Sequence, residues 1–223
     1  MSSMSKVRLG VLASGRGSNL QAIIDAIEAG ALQAEIALVL SNKQDAVALD
    51  RARTHKIETH FLDPKPFKDR PDAREAYDWA ILEALGKHKV ELVILAGYMK
   101  IVTSVLIDAY ANRMMNIHPS LLPSFPGLEV QKKALDWGVK IAGCTVHFVT
   151  EGVDEGPIII QASVPILEGD TPEVLAARIL VQEHQLYPKA IQLYAEGKLK
   201  VDGRRVLVAG ASAQGTATLV SPA

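Results

Sequence analysis

A single cysteine, Cys144, has no partner for an intramolecular disulfide, so stability must come from a packed core rather than covalent staples. The thiol sits in an apolar run and reads as buried filler in a reducing compartment. No apolar stretch reaches the roughly 18 residues of a membrane span. The short polar start, Met1 to Ser5, lacks the basic and small-residue flanks of a secretory leader and runs straight into an apolar run at Val7. A cytoplasmic location is expected. An excess of one charge is missing as well. Lys and Arg number 24 against 25 Asp and Glu, a net −1, so no broad basic field exists to hold a nucleic-acid backbone. Internal repeats and clear linkers are also absent. A chain of this ordinary globular composition, 48% hydrophobic and 22% charged, can bury about 70% of its unfolded surface as one unit. Residues 1–210 are read as a single domain, and residues 211–223, rich in Ala, Ser, Gly and Thr, as a flexible, frayed tail.

What is present is an alternation of β-rich runs and helical patterns. Val7–Ala13 reads as a strand, followed by a helix with Leu20, Ile23, Ile24 and Ile27 on one face. Strand Ile36–Leu40, helix Ala46–Thr54 and strand Thr59–Leu62 come next. Pro64, Pro66 and Pro71 then precede a helix over Ala73–Lys87. Strand Glu91–Ala96, a helix near Ser104–Tyr110 and strand Met114–Ile117 complete this part. The rhythm predicts an α/β, Rossmann-like, mostly parallel sheet with helices on both faces. Beyond residue 128 the grammar changes. A short helix covers Glu129–Trp137, and the runs Lys140–Val149 and Ile158–Ile166 flank a wide loop, Thr150–Pro157, as an antiparallel pair. Thr171 and Pro172 open a long helix that Pro188 is expected to kink or split. Leu199–Val201 and Arg205–Val208, joined at Asp202-Gly203, predict an antiparallel C-terminal hairpin.

The loop Gly15-Arg16-Gly17-Ser18-Asn19 stands where the first strand hands over to the first helix. Glycines there admit close approach of a ligand, and the free amides of the helix start attract an anion, so Gly17, Ser18 and Asn19 are candidate phosphate ligands. A bare glycine pair also serves any tight strand-to-helix turn. A dinucleotide fits worse, because Leu20 takes the third glycine position and Leu40-Ser41-Asn42-Lys43 offers no acid for a ribose. Asn116-Ile117-His118 ends the fifth strand, and period-2 alternation puts the amide and the imidazole on one side. Two donors aimed at one oxygen suit acyl or formyl transfer through an oxyanion. In the loop Thr150–Pro157, a carboxylate from Asp154 placed beside His118 would favour the charged ring. Asp154 and Glu155 read equally well as solvated loop charges. His55, His60, His88, His147 and His184 read as structural side chains, and no pair has metal-ligand spacing, so no metal is expected. No serine or cysteine stands beside a base as a nucleophile would.

The combination of Gly17-Ser18-Asn19, Asn116-x-His118-Pro119-Ser120-Leu121-Leu122-Pro123 and Asp154-x-Gly156-Pro157 closely resembles the glycinamide ribonucleotide formyltransferase family, in order over roughly residues 7–197. The resemblance implies a single formyltransferase domain over 1–210. It would move the formyl group of 10-formyltetrahydrofolate, as co-substrate and without a metal, to the amine of glycinamide ribonucleotide in purine synthesis. It makes Asn116 and His118 the groups that hold the tetrahedral intermediate, with Asp154 raising the histidine's pKa and Thr145 helping to orient the site. Gly17, Ser18, Asn19 and Glu183 would contact the ribonucleotide. Backbone groups at Met99, Lys100, Ile101 and Val102, together with Asn116, would read the folate, and Arg74 would face its tail. Lys100 stands where arginine is common and cannot make a bidentate contact to a carboxylate. Leu180 stands where a polar or basic residue often supports the phosphate. The partners implied are small-molecule substrates, with no nucleic acid or membrane and the chain a monomer or homodimer. Rivals on the same scaffold are a formyl-folate hydrolase and a transferase to another amine, such as that of a charged tRNA. From another class, a nucleotide-binding regulator would not need Asn116, His118 and Asp154 together.

Overall fold

Nine β-rich runs pair into one sheet in a computed structural model that describes residues 6–210. The expectations for residues 1–5 and for the tail 211–223 lie outside the described residues. Strands β1 (Val7–Leu12), β2 (Ala34–Ser41), β3 (Thr59–Phe61), β4 (Leu92–Leu95) and β5 (Met114–His118) pair in parallel. The antiparallel strands β6 (Ile141–Phe148) and β7 (Ile158–Pro165) extend the sheet beyond β5. The hairpin of β8 (Leu199–Asp202) and β9 (Arg205–Val208) closes the far edge, giving the order β3-β2-β1-β4-β5-β6-β7-β9-β8. The fold class is the one the alternating pattern predicts.

The helices are α1 (Ser18–Glu28), α2 (Val47–Thr54), α3 (Ala73–Lys87), α4 (Ser104–Ala109), α5 (Val130–Asp136) and α6 (Pro172–Ala195). Side-chain alternation along the central strands divides the core in two. Leu9, Val11, Leu92 and Ile94 pack beneath α1, α2, α5 and α6, whereas Leu12, Val93 and Leu95 pack beneath α3 and α4. A sheet covered on both faces has no polar side to its middle strands, which is why they read as continuous apolar runs. The periodic residues Leu20, Ile23 and Ile24 of α1 are buried as predicted, each contributing about 2 kcal/mol relative to exposure.

One expectation is narrowed and one is corrected. The long helix α6 opens at Thr171, whose Oγ1 accepts the Val174 N–H at 3.3 Å, but it runs unsplit through Pro188. An interior proline costs about 3 kcal/mol. Burial of Leu186, Tyr187, Ala190 and Ile191 around it offsets that cost, and the Tyr187 hydroxyl lies 2.9 Å from the Leu95 and Met115 carbonyls. The terminal hairpin turns through Gly203-Arg204, not Asp202-Gly203, because Asp202 still pairs with Arg205. Gly203, at φ +59°, supplies the left-handed first position of that turn. Among the described residues no helix is long and apolar enough to cross a membrane.

The chain steps from β1 outward to β2 and β3, then returns to lay β4 on the other side of β1. The winding reverses between β1 and β4, and a crevice opens beyond their carboxyl ends.

Candidate active site

At the crevice, Gly17 sits at φ +68° as the residue before α1, and a Cβ there would meet Ala48 Cα at 2.8 Å. No side chain caps α1, which leaves its first-turn amides available to an anion. Helix α2 braces the loop from behind. The Ala48 N–H donates to the Gly15 carbonyl at 3.0 Å, and Arg51 Nε donates to the Arg16 carbonyl at 2.8 Å. Asn19 Nδ2 donates to Glu183 Oε2 at 2.7 Å and so joins α1 to α6. Burial pushes the Glu183 carboxyl above the usual carboxylate range, with the Asn19 amide pulling it back. The other amide atom, Asn19 Oδ1, is buried with no partner among the described residues.

The antiparallel register places Asn116 opposite His147 and His118 opposite Thr145, and opposite residues share a face of the sheet. His118 is buried, with Nδ1 3.4 Å from Asp154 Oδ2 and Nε2 3.0 Å from the Phe125 carbonyl. Both neighbours are acceptors, an arrangement satisfied by a ring carrying a proton on each nitrogen. Asn116 Nδ2 lies 3.5 Å from Asp154 Oδ1 and 3.3 Å from His147 Nε2. The Nδ1–H of His147 donates to the Phe148 carbonyl at 2.8 Å, which makes its Nε2 the bare nitrogen facing that amide. Burial lowers the pKa of His147 and keeps the ring neutral.

Asp154 stands at φ +57° in the loop after β6, and its Oδ2 accepts the Gly127 N–H at 2.9 Å. Its side chain is 10% exposed whereas Glu155 is open to solvent, so Asp154 is not a solvated loop charge. Thr145 stands at one remove from these groups. Its hydroxyl donates to the Ser120 carbonyl at 2.7 Å and accepts from the Leu122 N–H at 3.0 Å and from Gln161 Nε2 at 2.9 Å. It thereby holds the loop that follows His118 and meets none of the candidate reacting groups.

Asn116, His118 and Asp154 line a cavity of about 540 Å³ together with the segment Met99–Val102. Gly17, Ser18, Asn19 and Glu183 form a second cluster outside that lining. Arg74 is exposed on α3 and also lies outside it. Lys100 turns its Nζ to within 4.8 Å of the Tyr77 ring centroid. Cys144 is buried filler, its thiol pushed up to about 12 by loss of water. Among the described residues no group of three or more His, Cys, Asp and Glu is arranged around a metal position. His147, which reads as structural in the sequence, lines the same cavity. The register opposite Asn116 is the signal that finds it.

Acyl-type transfer asks for two things: a place to anchor one substrate, and fixed donors where negative charge develops on the other. A braced helix start beside an amide, an imidazole and a carboxylate meets both, and the chain thereby falls among the α/β group-transfer enzymes. Comparison with known proteins narrows the class. The sequence profile described as formyl transferase matches residues 7–191, and the chain belongs to that family. It is 44% identical over 203 residues to the phosphoribosylglycinamide formyltransferase of Escherichia coli K12, covering 88% of this chain and 94% of that protein. Among solved structures it is similar to glycinamide ribonucleotide transformylase 1 from Symbiobacterium toebii, with 52% identity, a TM-score of 0.88 and coverage of 92% and 95% of the two chains. A formyltetrahydrofolate deformylase from Pseudomonas syringae also superposes, with a TM-score of 0.83 at 30% identity, but this chain covers only 66% of it.

Proposed function

We propose that this protein transfers the formyl group of 10-formyltetrahydrofolate to the amine of glycinamide ribonucleotide in purine synthesis. The observation that carries the reading is the convergence of Asn116, His118 and Asp154 on one cavity with Met99–Val102. Relatives bearing the name of this activity match over nearly the whole chain, which supports the choice of amine.

The ribonucleotide phosphate binds the α1 amides at Gly17, Ser18 and Asn19, and the orphaned Asn19 Oδ1 accepts a donor from the same substrate, beside Glu183. The folate ring lies along the backbone of Met99–Val102, with Arg74 outside the cavity toward its tail. The neutral amine attacks the formyl carbon, and the carbonyl pair moves onto oxygen. The Asn116 amide and a protonated His118 hold that oxyanion. For His118 Nε2 to donate there, it exchanges its bond to the Phe125 carbonyl for one to the formyl oxygen. Asp154 balances the ring's charge from the Nδ1 side. The intermediate collapses by breaking the bond to the folate nitrogen, which takes up a proton as the amine loses one. Transfer is direct, in the cytoplasm, by a monomer or homodimer, with no covalent enzyme intermediate.

The test is substrate omission. Purified protein with 10-formyltetrahydrofolate should release tetrahydrofolate only when glycinamide ribonucleotide is added. Release at the same rate without the ribonucleotide would make the protein a hydrolase and overturn the proposal.

A further inference from the structure

The two binding segments of the proposed site, Gly15–Asn19 and Gly97–Val102, leave the sheet side by side from β1 and β4. Ser14 stands between them, only 3% exposed. It is covalently joined to Gly15, and its backbone N–H donates to the Gly97 carbonyl at 3.0 Å. Its Oγ accepts the Met99 N–H at 2.9 Å and donates to Asn42 Oδ1 at 2.6 Å. The Met99 amide, the Ser14 hydroxyl and the Asn42 side chain thus form one hydrogen-bond chain across the ends of β4, β1 and β2. Bonds in such a chain strengthen one another, so displacement at one end is felt at the other. The far end of the folate segment is held separately. The Thr103 N–H donates at 2.6 Å to Asp78, a buried residue of α3 on the opposite face of the sheet from α1.

Neither Ser14 nor Asn42 lines the cavity. We infer that Ser14 is a positioning residue that couples the two substrates. When phosphate fixes the glycine loop, Ser14 is fixed with it, and its hydroxyl then sets the Met99 backbone against the folate ring. The same bonds carry the effect in reverse, because coupling between two binding sites is reciprocal. The inference rests on the reaction proposed above and adds that the substrates bind interdependently through one buried hydroxyl.

Tetrahydrofolate and glycinamide ribonucleotide have no formyl group to exchange, so both can be titrated onto the full-length protein by calorimetry. Each ligand should tighten the other about fivefold or more, by the same factor in either order. Ser14→Ala should bring that factor to within about twofold of unity and weaken tetrahydrofolate alone about tenfold, the scale of one hydrogen bond to a backbone amide. Asn42→Ala should lower the factor partway, and Asn42→Asp, which keeps the acceptor, should restore it. This pair decides the matter if Ser14→Ala does not fold. Asp78→Ala should weaken tetrahydrofolate while keeping the factor, because it loosens the segment at its other end. Independent binding in the wild type, or a wild-type factor in Ser14→Ala, overturns the inference and leaves the reaction standing if turnover is seen. If the wild type binds neither ligand, the reaction itself falls and the inference with it.

Discussion

The two ends of the crevice are built from different material. At the glycine loop the groups offered are backbone amides, set by φ angles and braced by α2. At the ends of β5 and β6 they are side chains, Asn116 and His118, gathered on one carboxylate, Asp154, with the bare nitrogen of His147 against the Asn116 amide. Backbone donors come with the fold, so apart from the Asn19 side chain residue identity matters there only where a Cβ would intrude. Side-chain donors depend on identity at every position. The loop end should therefore break through binding, and the strand end through turnover.

The largest expected effect tests the strand end. His118→Ala should lose about 100-fold or more in kcat, the scale of one preorganised oxyanion donor, with the ribonucleotide KM and the melting temperature close to wild type. Steady-state kinetics within about threefold of wild type would erase the distinction between the two ends. Asp154→Asn keeps size and removes charge, and kcat should fall about tenfold or more. If only KM moves, Asp154 acts in binding and not on His118. Gly17→Val is the matching test of the loop end. The positive φ and the 2.8 Å approach to Ala48 Cα should raise the ribonucleotide KM about tenfold and cost roughly 1–3 kcal/mol in urea unfolding. At saturating ribonucleotide the folate KM should stay within about twofold. An equal rise in both would mean general loosening.

Glu183 yields a smaller effect with a definite sign. Its folded-state pKa is raised by burial, so its stabilising contribution is complete below the ordinary carboxylate range and is lost as pH climbs through the raised value. Glu183→Gln stays neutral throughout. The variant should melt about 2–4 °C above wild type near pH 8 and level with it near pH 4, as thermal scans at the two pH values would show. A wild type more stable at pH 8 would mean that the ionised carboxylate is fully satisfied. Smallest of all is Lys100→Arg. Because Lys100 already lies over the Tyr77 ring, where a guanidinium can also stack, the folate KM should move by about threefold or less.

The same division governs what could be read in advance. Helix α3 is legible, because Pro64, Pro66 and Pro71 interrupt the chain before it and the stretch Ala73–Lys87 holds no proline. The core on two faces follows from unbroken apolar strands. Asn116 and His118 are legible as a pair because a strand has period two. Asp154 is not decided by its own surroundings, since its partner is set only when β6 folds back along β5, and family resemblance alone singled it out. The place of His147 opposite Asn116 is hidden for the same reason, a cross-strand register having no local signature. Pro188 shows the converse, a strong local rule outweighed by the apolar surface buried around it. The turn of Lys100 onto Tyr77 is a rotamer choice made by tertiary neighbours.

Cys144 offers an experimental handle on the half of the molecule that carries this chemistry. It is the sole thiol in the chain, wholly shielded in β6 beside Thr145 and directly across from Ala162 of β7. With its thiol pushed up to about 12, it gives an alkylating reagent almost no thiolate to attack while the core stays closed. Modification must wait for α6, which packs with Cys144 in one core layer, to lift from that face of the sheet. Tracked by mass with and without ligands, the reaction becomes a stopwatch for how often this face of the sheet is uncovered beside His118.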